Sequence, residues 1–217
     1  MINVMKWFMQ MVVALAVLFS GSSVYAADGN AALYDATAPA DSAYVRVFNL
    51  TNAAIDVKVS SKSAAQPISA YQMGDYLFLA QGQHDIALGS LNVSLSFSKN
   101  EVKTLLFDGT QLKVVNDSLF ESVKKARVGL YNFSSQAVAL KTANGKHEVV
   151  KSVTPGDSGF REVNEIKMVF SAYQDGKSVA TFDETFLKKG RSYSYVVYEE
   201  NGGIVAQVVA NKVASIE

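Results

Sequence analysis

Hydrophobic and polar residues alternate along much of the chain after residue 43, with the two-residue period of a β-strand. The clearest case is Leu91–Phe97, where four apolar side chains occupy one face and three small polar side chains the other. Ile55–Val59 and the start of Ala43–Asn49 alternate in the same way. The spacing typical of an amphipathic helix is largely absent, so the pattern predicts an all-β protein whose strands have one dry and one wet face.

Four dipeptides that favour tight turns stand between such apolar runs. Asn and Asp before Gly accept the positive φ that two-residue hairpin loops require. The pattern therefore predicts antiparallel hairpins. The four dipeptides are Asp108-Gly109, Asn144-Gly145, Asp175-Gly176 and Asn201-Gly202.

The chain also contains an internal repeat. Ala43–Asn49 returns in altered form as Ala126–Asn132. Two further echoes follow in the same order and at nearly the same spacing: Ile55–Lys58 with Val138–Lys141, and Gly74-Asp75 with Gly156-Asp157. The repeat predicts one β-rich unit used twice, and the alternative is that all-β segments look alike because they share alternation and turn residues.

We predict two small antiparallel β-sandwich domains, immunoglobulin-like or carbohydrate-binding-module-like, joined by a short linker. Ser118 followed by Glu121 has the spacing of a capping box, and two lysines follow, so the linker is predicted to be a short helix or turn. The predicted bounds are a signal peptide at 1–26, an N-terminal arm at 27–42, domain 1 at 43–116, the linker at 117–125 and domain 2 at 126–217.

The N-terminus has the features of an export signal. Lys6 is the only charged side chain before Asp28, and it precedes the apolar run Trp7–Leu18, which only Gln10 interrupts. Small residues predict cleavage after Ala26, with Ala27 as the alternative. An uncleaved anchor is the rival interpretation, but the run is short beside the roughly 20 residues that span a bilayer. We expect Sec-type export and a mature chain that does not span the membrane.

Charge and cysteine content exclude several classes of partner. Without its signal the chain keeps 19 basic and 20 acidic residues, a net charge near −1 (19 − 20), which gives no field to attract nucleic acid. The chain has no cysteine, so disulfides, thiol nucleophiles and thiolate metal sites are excluded. No phosphate-binding glycine loop, calcium-loop pattern or metal-ligand spacing is present, and we predict no cofactor and no metal.

Ser158 is the one candidate nucleophile. It lies in Pro155–Gly159, and Gly-Asp-Ser surrounds the nucleophile of SGNH esterases and acetyltransferases and of trypsin-like proteases. A serine needs a positioned base. The SGNH arrangement has its base histidine downstream, but no histidine follows His147. Neither His84 nor His147 has the Ala-Ala-His context of the proteases. The preferred interpretation is a turn, with Ser158 kept as a catalytic candidate.

Aromatic side chains are the remaining candidates for binding. Tyrosine rings favour contacts with sugars and with partner proteins, but β-sandwich cores use them heavily as well. The core interpretation is favoured for any one of them. The predicted polymer- or partner-binding residues are Tyr71, Tyr76, Tyr173 and Tyr198.

The segment Leu33–Asn49 resembles the opening of the AlgF family of periplasmic alginate O-acetylation proteins. Length, export signal, lack of cysteine and two β-rich halves agree with that resemblance. It implies a periplasmic accessory role in adding acetyl groups to mannuronate residues of alginate. The implied partners are SGNH-type periplasmic alginate acetyltransferases, a membrane-bound O-acyltransferase and the alginate polymer itself. The resemblance supplies no catalytic residue.

Two other functions remain open from the sequence. A periplasmic chaperone of fibre subunits also has two immunoglobulin-like domains after a signal peptide, and it binds its subunits through an exposed strand edge. An acetyl carrier or esterase would use Ser158 and would need a base within hydrogen-bond reach of its hydroxyl.

Overall fold

This computed structural model describes residues 38–216, which form eighteen β-strands and no α-helix. The all-β prediction is therefore confirmed for the described residues. The predicted signal peptide at 1–26 and the arm up to residue 37 lie outside them. No helix in the described range is long and apolar enough to cross a membrane.

The first half of the described chain forms two four-stranded sheets. Their orders are β4-β1-β7-β8 and β3-β2-β5-β6. Val45 and Val47 of one sheet meet Val57, Ile86 and other side chains of the second in a shared apolar core. These strands are β1 (Ala43–Asn49), β2 (Ile55–Val59), β3 (Gln66–Ile68), β4 (Leu77–Leu79), β5 (Gly82–Leu88), β6 (Leu91–Phe97), β7 (Val102–Phe107) and β8 (Leu112–Asp117).

The second half repeats this arrangement. Its sheets have the orders β12-β9-β17-β18 and β11-β10-β14-β15, and a two-stranded sheet, β13-β16, is added. Because β9 and β10 take the places of β1 and β2, the repeat predicted from Ala43–Asn49 is confirmed. The strands are β9 (Ala126–Phe133), β10 (Val138–Thr142), β11 (Glu148–Val153), β12 (Asp157–Val163), β13 (Ile166–Met168), β14 (Phe170–Gln174), β15 (Lys177–Thr181), β16 (Thr185–Leu187), β17 (Ser192–Glu200) and β18 (Gly203–Ala210).

All four predicted hairpins form, joining β7 to β8, β10 to β11, β14 to β15 and β17 to β18. Two of them have two-residue loops with positive φ at both positions: 46° and 77° at Asp175-Gly176, and 50° and 78° at Asn201-Gly202. Positive φ at both positions is the conformation that a type I′ turn needs. Each half also contains one parallel pair, β1 with β7 and β9 with β17, which turn dipeptides do not predict because they report only on consecutive strands.

Asn49 and Asn132 play the same structural role in the two halves. Both are fully buried. Asn49 Nδ2 donates to the carbonyl of Ala53 at 2.8 Å, and Asn132 Nδ2 donates to those of Gln136 at 2.7 Å and Val153 at 2.8 Å. The Oδ1 atom of each accepts from the backbone N–H two positions further on, closing an Asx turn. These asparagines therefore fasten the end of β1 and of β9 to the next loop.

The two sandwiches pack sheet against sheet. Phe48 of β1 lies in an apolar cluster with Tyr131 and Phe133 of β9 and with Val196 and Tyr198 of β17. The strands β1 and β9 thus bury one face in their own core and the other between the sandwiches. The second face of each repeated heptapeptide carries an arginine, Arg46 or Arg127, and this double burial places both arginines out of solvent.

The connection between the halves contains bends at residues 123–125 and no helix. The turn-like version of the predicted linker is therefore correct and the helical version, with a capping box at Ser118, is wrong. Asp117 is the last residue of β8. The carbonyl and hydroxyl oxygens of Ser118 accept hydrogen bonds from the Arg127 guanidinium, so Ser118 is held by β9 and does not cap a helix.

The chain after β18 returns to the first sandwich. The backbone N–H of Tyr76 donates to the carbonyl of Lys212 at 2.9 Å, and that of Ala214 donates to the carbonyl of Tyr76 at 2.8 Å. Ala214 and Ile216 pack against the first core. The predicted domain 2, at 126–217, includes this terminal segment. The predicted domain bounds stay predictions.

Candidate functional site

A buried arginine lies at the centre of the contact between the sandwiches. Arg46 of β1 is 2% exposed. Its Nε donates to Thr104 Oγ1 at 3.0 Å, its Nη1 to Asn211 Oδ1 at 2.8 Å and its Nη2 to Ser194 Oγ at 2.9 Å. Because Thr104 belongs to the first sandwich and Ser194 to the second, one guanidinium ties the two together.

Asp117 supplies the negative charge of this cluster. Its Oδ2 atom accepts hydrogen bonds from Thr104 Oγ1 at 2.6 Å, Tyr131 OH at 2.9 Å and Tyr76 OH at 3.0 Å. Arg46 Nη2 lies 3.9 Å from the same oxygen, and both side chains are 1% exposed. The carboxylate is therefore held mainly by three hydroxyl groups, with the guanidinium as its counter-charge.

The ionisation of the cluster follows from its burial. Burial raises the pKa of Tyr131 to about 12 and raises the pKa of Tyr76 well above its ordinary value. Both hydroxyls therefore stay protonated at neutral pH and donate to Asp117. Burial opposes the charge of Arg46, but the oxygen atoms of Tyr76, Tyr131 and Asp117 outweigh it and raise the pKa of Arg46.

A cavity of about 260 Å³ opens beside this cluster, at one end of the layer between the sandwiches. Asp117 and Tyr131 line it together with Arg127 of β9 and Phe160 of β12. The guanidinium carbon of Arg127 lies 3.9 Å from the centre of the Phe160 ring. A Cβ at Gly129 would approach that ring to 2.8 Å, which explains the glycine in the middle of β9. The lining comes from both sandwiches, the connection between them and the terminal segment.

Ser158 lies at the start of β12, immediately after the turn at 155–156, so the predicted turn is shorter than expected. Its Oγ is 3.5 Å from Asp117 Oδ1. Neither histidine is among the described residues that line the groove around it. His84 Nε2 lies 2.9 Å from the carbonyl oxygen of Ala80, and His147 is exposed in the turn before β11. The structure thus brings Ser158 to a carboxylate and to no imidazole.

All four predicted binding tyrosines contact other parts of the chain. Tyr71 and Tyr198 stack with ring centres 5.5 Å apart and planes 10° from parallel. Tyr76 is half-buried and bonds Asp117. Tyr173 is half-buried on β14, and Lys141 Nζ lies 5.2 Å from its ring centre. Binding of polymer or partner by these residues stays a prediction.

Sequence reasoning missed Arg46, Asp117 and Arg127. The available signal was a charge inside an otherwise apolar strand, since Arg46 and Arg127 each interrupt the repeated heptapeptide. Nothing local marks Asp117, which lies far from Arg46 along the chain. Within residues 38–216 no group of three or more His, Asp or Glu side chains is placed to hold a metal ion.

Comparison with known proteins identifies the family. The family model described as "Alginate O-acetyl transferase AlgF" matches residues 16–194. The alginate biosynthesis protein AlgF of Azotobacter vinelandii is 35% identical over 173 residues, which are 79% of each chain.

Two solved domains of AlgF from Pseudomonas aeruginosa also match. The C-terminal domain is 32% identical with a TM-score of 0.38, and the match covers 41% of this chain and 99% of that one. The N-terminal domain is 24% identical with a TM-score of 0.33, and covers 37% and 99%. On the family model and the sequence identity to the Azotobacter protein, this chain belongs to the AlgF family.

Proposed function

We propose that this chain is a periplasmic accessory protein of alginate O-acetylation, which holds the acetylating enzymes together and does not itself transfer the acetyl group. The family name and the names of its relatives support the role in alginate acetylation. The features of the segment 1–26 support export. The partners that fit are SGNH-type alginate acetyltransferases and a membrane-bound O-acyltransferase, with the polymer as a further ligand.

The observation that carries the proposal is the buried Arg46–Asp117 cluster. An adaptor must present two binding surfaces at a fixed separation, because slack between them would lose the advantage of holding two partners at once. Arg46 bonds Thr104 of one sandwich and Ser194 of the other. Burying these polar groups costs free energy, and their hydrogen bonds offset that cost only when the two sheets are packed in this arrangement. The cluster therefore favours a single relative orientation of the sandwiches.

Acetyl transfer through Ser158 is the second candidate, and its proximity to Asp117 is the observation that favours it. The serine hydroxyl would have to lose its proton to Asp117 Oδ1, 3.5 Å away, while it attacks an acyl carbon. Asp117 already accepts from three hydroxyls. We therefore place this function second. The fibre-chaperone alternative has no support from the family.

Complementation of a strain that lacks the chain tests the proposal. Acetyl content of the secreted alginate would be measured after return of the wild type, of Ser158→Ala, or of Ser152→Ala, an exposed serine in the same groove, as control. We expect lost acetylation and full restoration by all three. Restoration by wild type and the control alone would make Ser158 the acetyl carrier and refute an accessory role.

A further inference from the structure

Arg127, which lines the cavity between the sandwiches, is a buried cation. No acidic side chain among residues 38–216 forms an ion pair with it. Arg127 is 5% exposed. Its guanidinium donates to the carbonyl and, at 2.6 Å, to the hydroxyl of Ser118. Among residues 38–216, the ion pairs within 4.0 Å involve other side chains. Arg46 has Asp117 as its counter-charge, whereas the contacts of Arg127 with the described residues are to neutral groups.

A buried arginine without an acidic partner favours the binding of an anion. Taking a charge out of water costs several kcal/mol unless an opposite charge or strong hydrogen bonds replace the water. The carbonyl and hydroxyl oxygens of Ser118 accept hydrogen bonds from the guanidinium, and the centre of the Phe160 ring lies 3.9 Å from its central carbon. A carboxylate in the cavity would supply the missing charge. Arg127 is already fixed in place, so little side-chain entropy would be lost on binding.

The remaining lining strengthens the positive character of the cavity. Lys212, an exposed lysine, is part of that lining. Asp117 borders it as well, but its carboxylate is occupied by three hydroxyls and by Arg46. Glu121 is exposed and close enough to raise the pKa of Tyr44, where burial is the larger cause. The charged side chains around the cavity therefore favour binding of an anion, although the protein as a whole has a net charge of zero.

Several apolar and aromatic side chains complete the lining. They are Tyr44, Val102, Leu119, Phe120 and Phe160. A volume of about 260 Å³ accommodates one or two side chains. Aromatic and apolar side chains beside the buried Arg127 match an acidic residue with an aromatic neighbour better than a sugar, which carries hydroxyls on most sides of its ring.

We propose that this cavity is the docking site for an acidic segment of a partner protein, in which a carboxylate side chain lies beside Arg127 and a neighbouring aromatic side chain lies against Phe160 and Phe120. The inference rests on the proposed accessory function and names the surface that one partner uses. Because the lining includes both sandwiches, the partner binds only when they are packed together.

Titration of the isotope-labelled mature chain with a short peptide tests this. The probe is the blocked tetrapeptide Gly-Phe-Asp-Gly, raised to about 10 mM so that millimolar dissociation constants are measured. Its matched control has Asn in place of Asp. We expect the Asp peptide to shift the amide signals of Gly190 and Ser192 and the side-chain signal of Arg127, and the Asn peptide to bind at least about tenfold more weakly, the ratio for about 1.4 kcal/mol.

Two variants separate the site from a folding defect. Lys212→Gln changes an exposed side chain and should weaken the peptide about threefold with an unchanged spectrum elsewhere, while Glu121→Gln should strengthen it. Arg127→Gln should abolish binding, with circular dichroism showing that the chain remains folded. Equal binding of the two peptides, shifts confined to other surfaces, or no binding at about 10 mM would overturn the proposal.

Mannuronate oligomers are titrated in parallel. Binding of the oligomer in the cavity in place of the peptide would assign the site to the polymer and refute docking of a protein. The accessory function is judged separately: alginate acetylation that still depends on the chain, but not on Lys212 or Arg127, would reject this site and leave that function standing.

Discussion

Replacing Arg46 by methionine removes the charge that faces Asp117 and three hydrogen bonds, while keeping much of the side-chain volume. Hydrogen bonds of charged groups contribute about 1.5–3 kcal/mol each, and methionine packing restores part of the loss. Removing one partner of a buried ion pair costs about 3–5 kcal/mol. Since the side chains of Arg46 and Asp117 are each 1% exposed, we expect Arg46→Met to lower the free energy of unfolding by about 3–5 kcal/mol.

Urea unfolding followed by far-ultraviolet circular dichroism measures this, because the only tryptophan, Trp7, lies in the predicted signal. Arg161→Met, on an exposed part of β12, is the matched control and should cost under about 0.5 kcal/mol. In a cycle with Asp117→Asn, the double variant should be less destabilised than the two single costs together, by about 1–3 kcal/mol. A loss under about 1 kcal/mol for Arg46→Met, or additive costs, would refute the reasoning.

Three further predictions test other contacts. Asn132→Ala and Asn49→Ala should each lower the free energy of unfolding by about 2–4 kcal/mol because the carbonyls around each buried amide, including those of Val153 and Ile68, lose their donor, whereas the exposed Asn116→Ala should change it by under about 0.5 kcal/mol in the same urea assay. The pKa of Tyr131 is raised from 10.0 to about 12, so its contribution is complete below pH 10 and is lost as pH rises towards 12. The stability advantage of wild type over Tyr131→Phe should therefore shrink by about 2 kcal/mol between pH 9 and pH 11.5, and a constant difference would contradict this. Deleting 212–216 should speed amide exchange in β4 of the first sandwich more than in β17, although the segment follows the second; equal protection would argue against its pairing with Tyr76.

Much of the fold is encoded locally and was therefore predictable. Alternation in Leu91–Phe97 corresponds to the burial of β6, and Asp175-Gly176 and Asn201-Gly202 form the hairpin turns that their backbone preferences favour. The duplicated heptapeptide appears as the equivalent strands β1 and β9. These features depend on neighbouring residues, so one sequence is sufficient to find them.

The contact between the sandwiches could not be predicted in the same way. The face of β1 that carries Phe48 also carries Tyr44 and Arg46, a mixture typical of a solvent-exposed face, so alternation does not show that a second sheet covers it. The hydrogen bond from Arg46 to Asn211 joins residues 165 positions apart. Tyr76 and Tyr198 were proposed for binding because tyrosine suits surfaces and interiors equally, and only the three-dimensional packing decides between them.

The most direct test of the accessory role is affinity isolation of the tagged chain from alginate-producing cells, with quantification of the alginate acetyltransferases that accompany it. We expect these enzymes to be enriched equally by the wild type and by Ser158→Ala. Arg46→Met should recover less of them when both chains are present in equal amount. Acetylation that depends on Ser158, with none of these enzymes enriched by the wild type, would refute the accessory role.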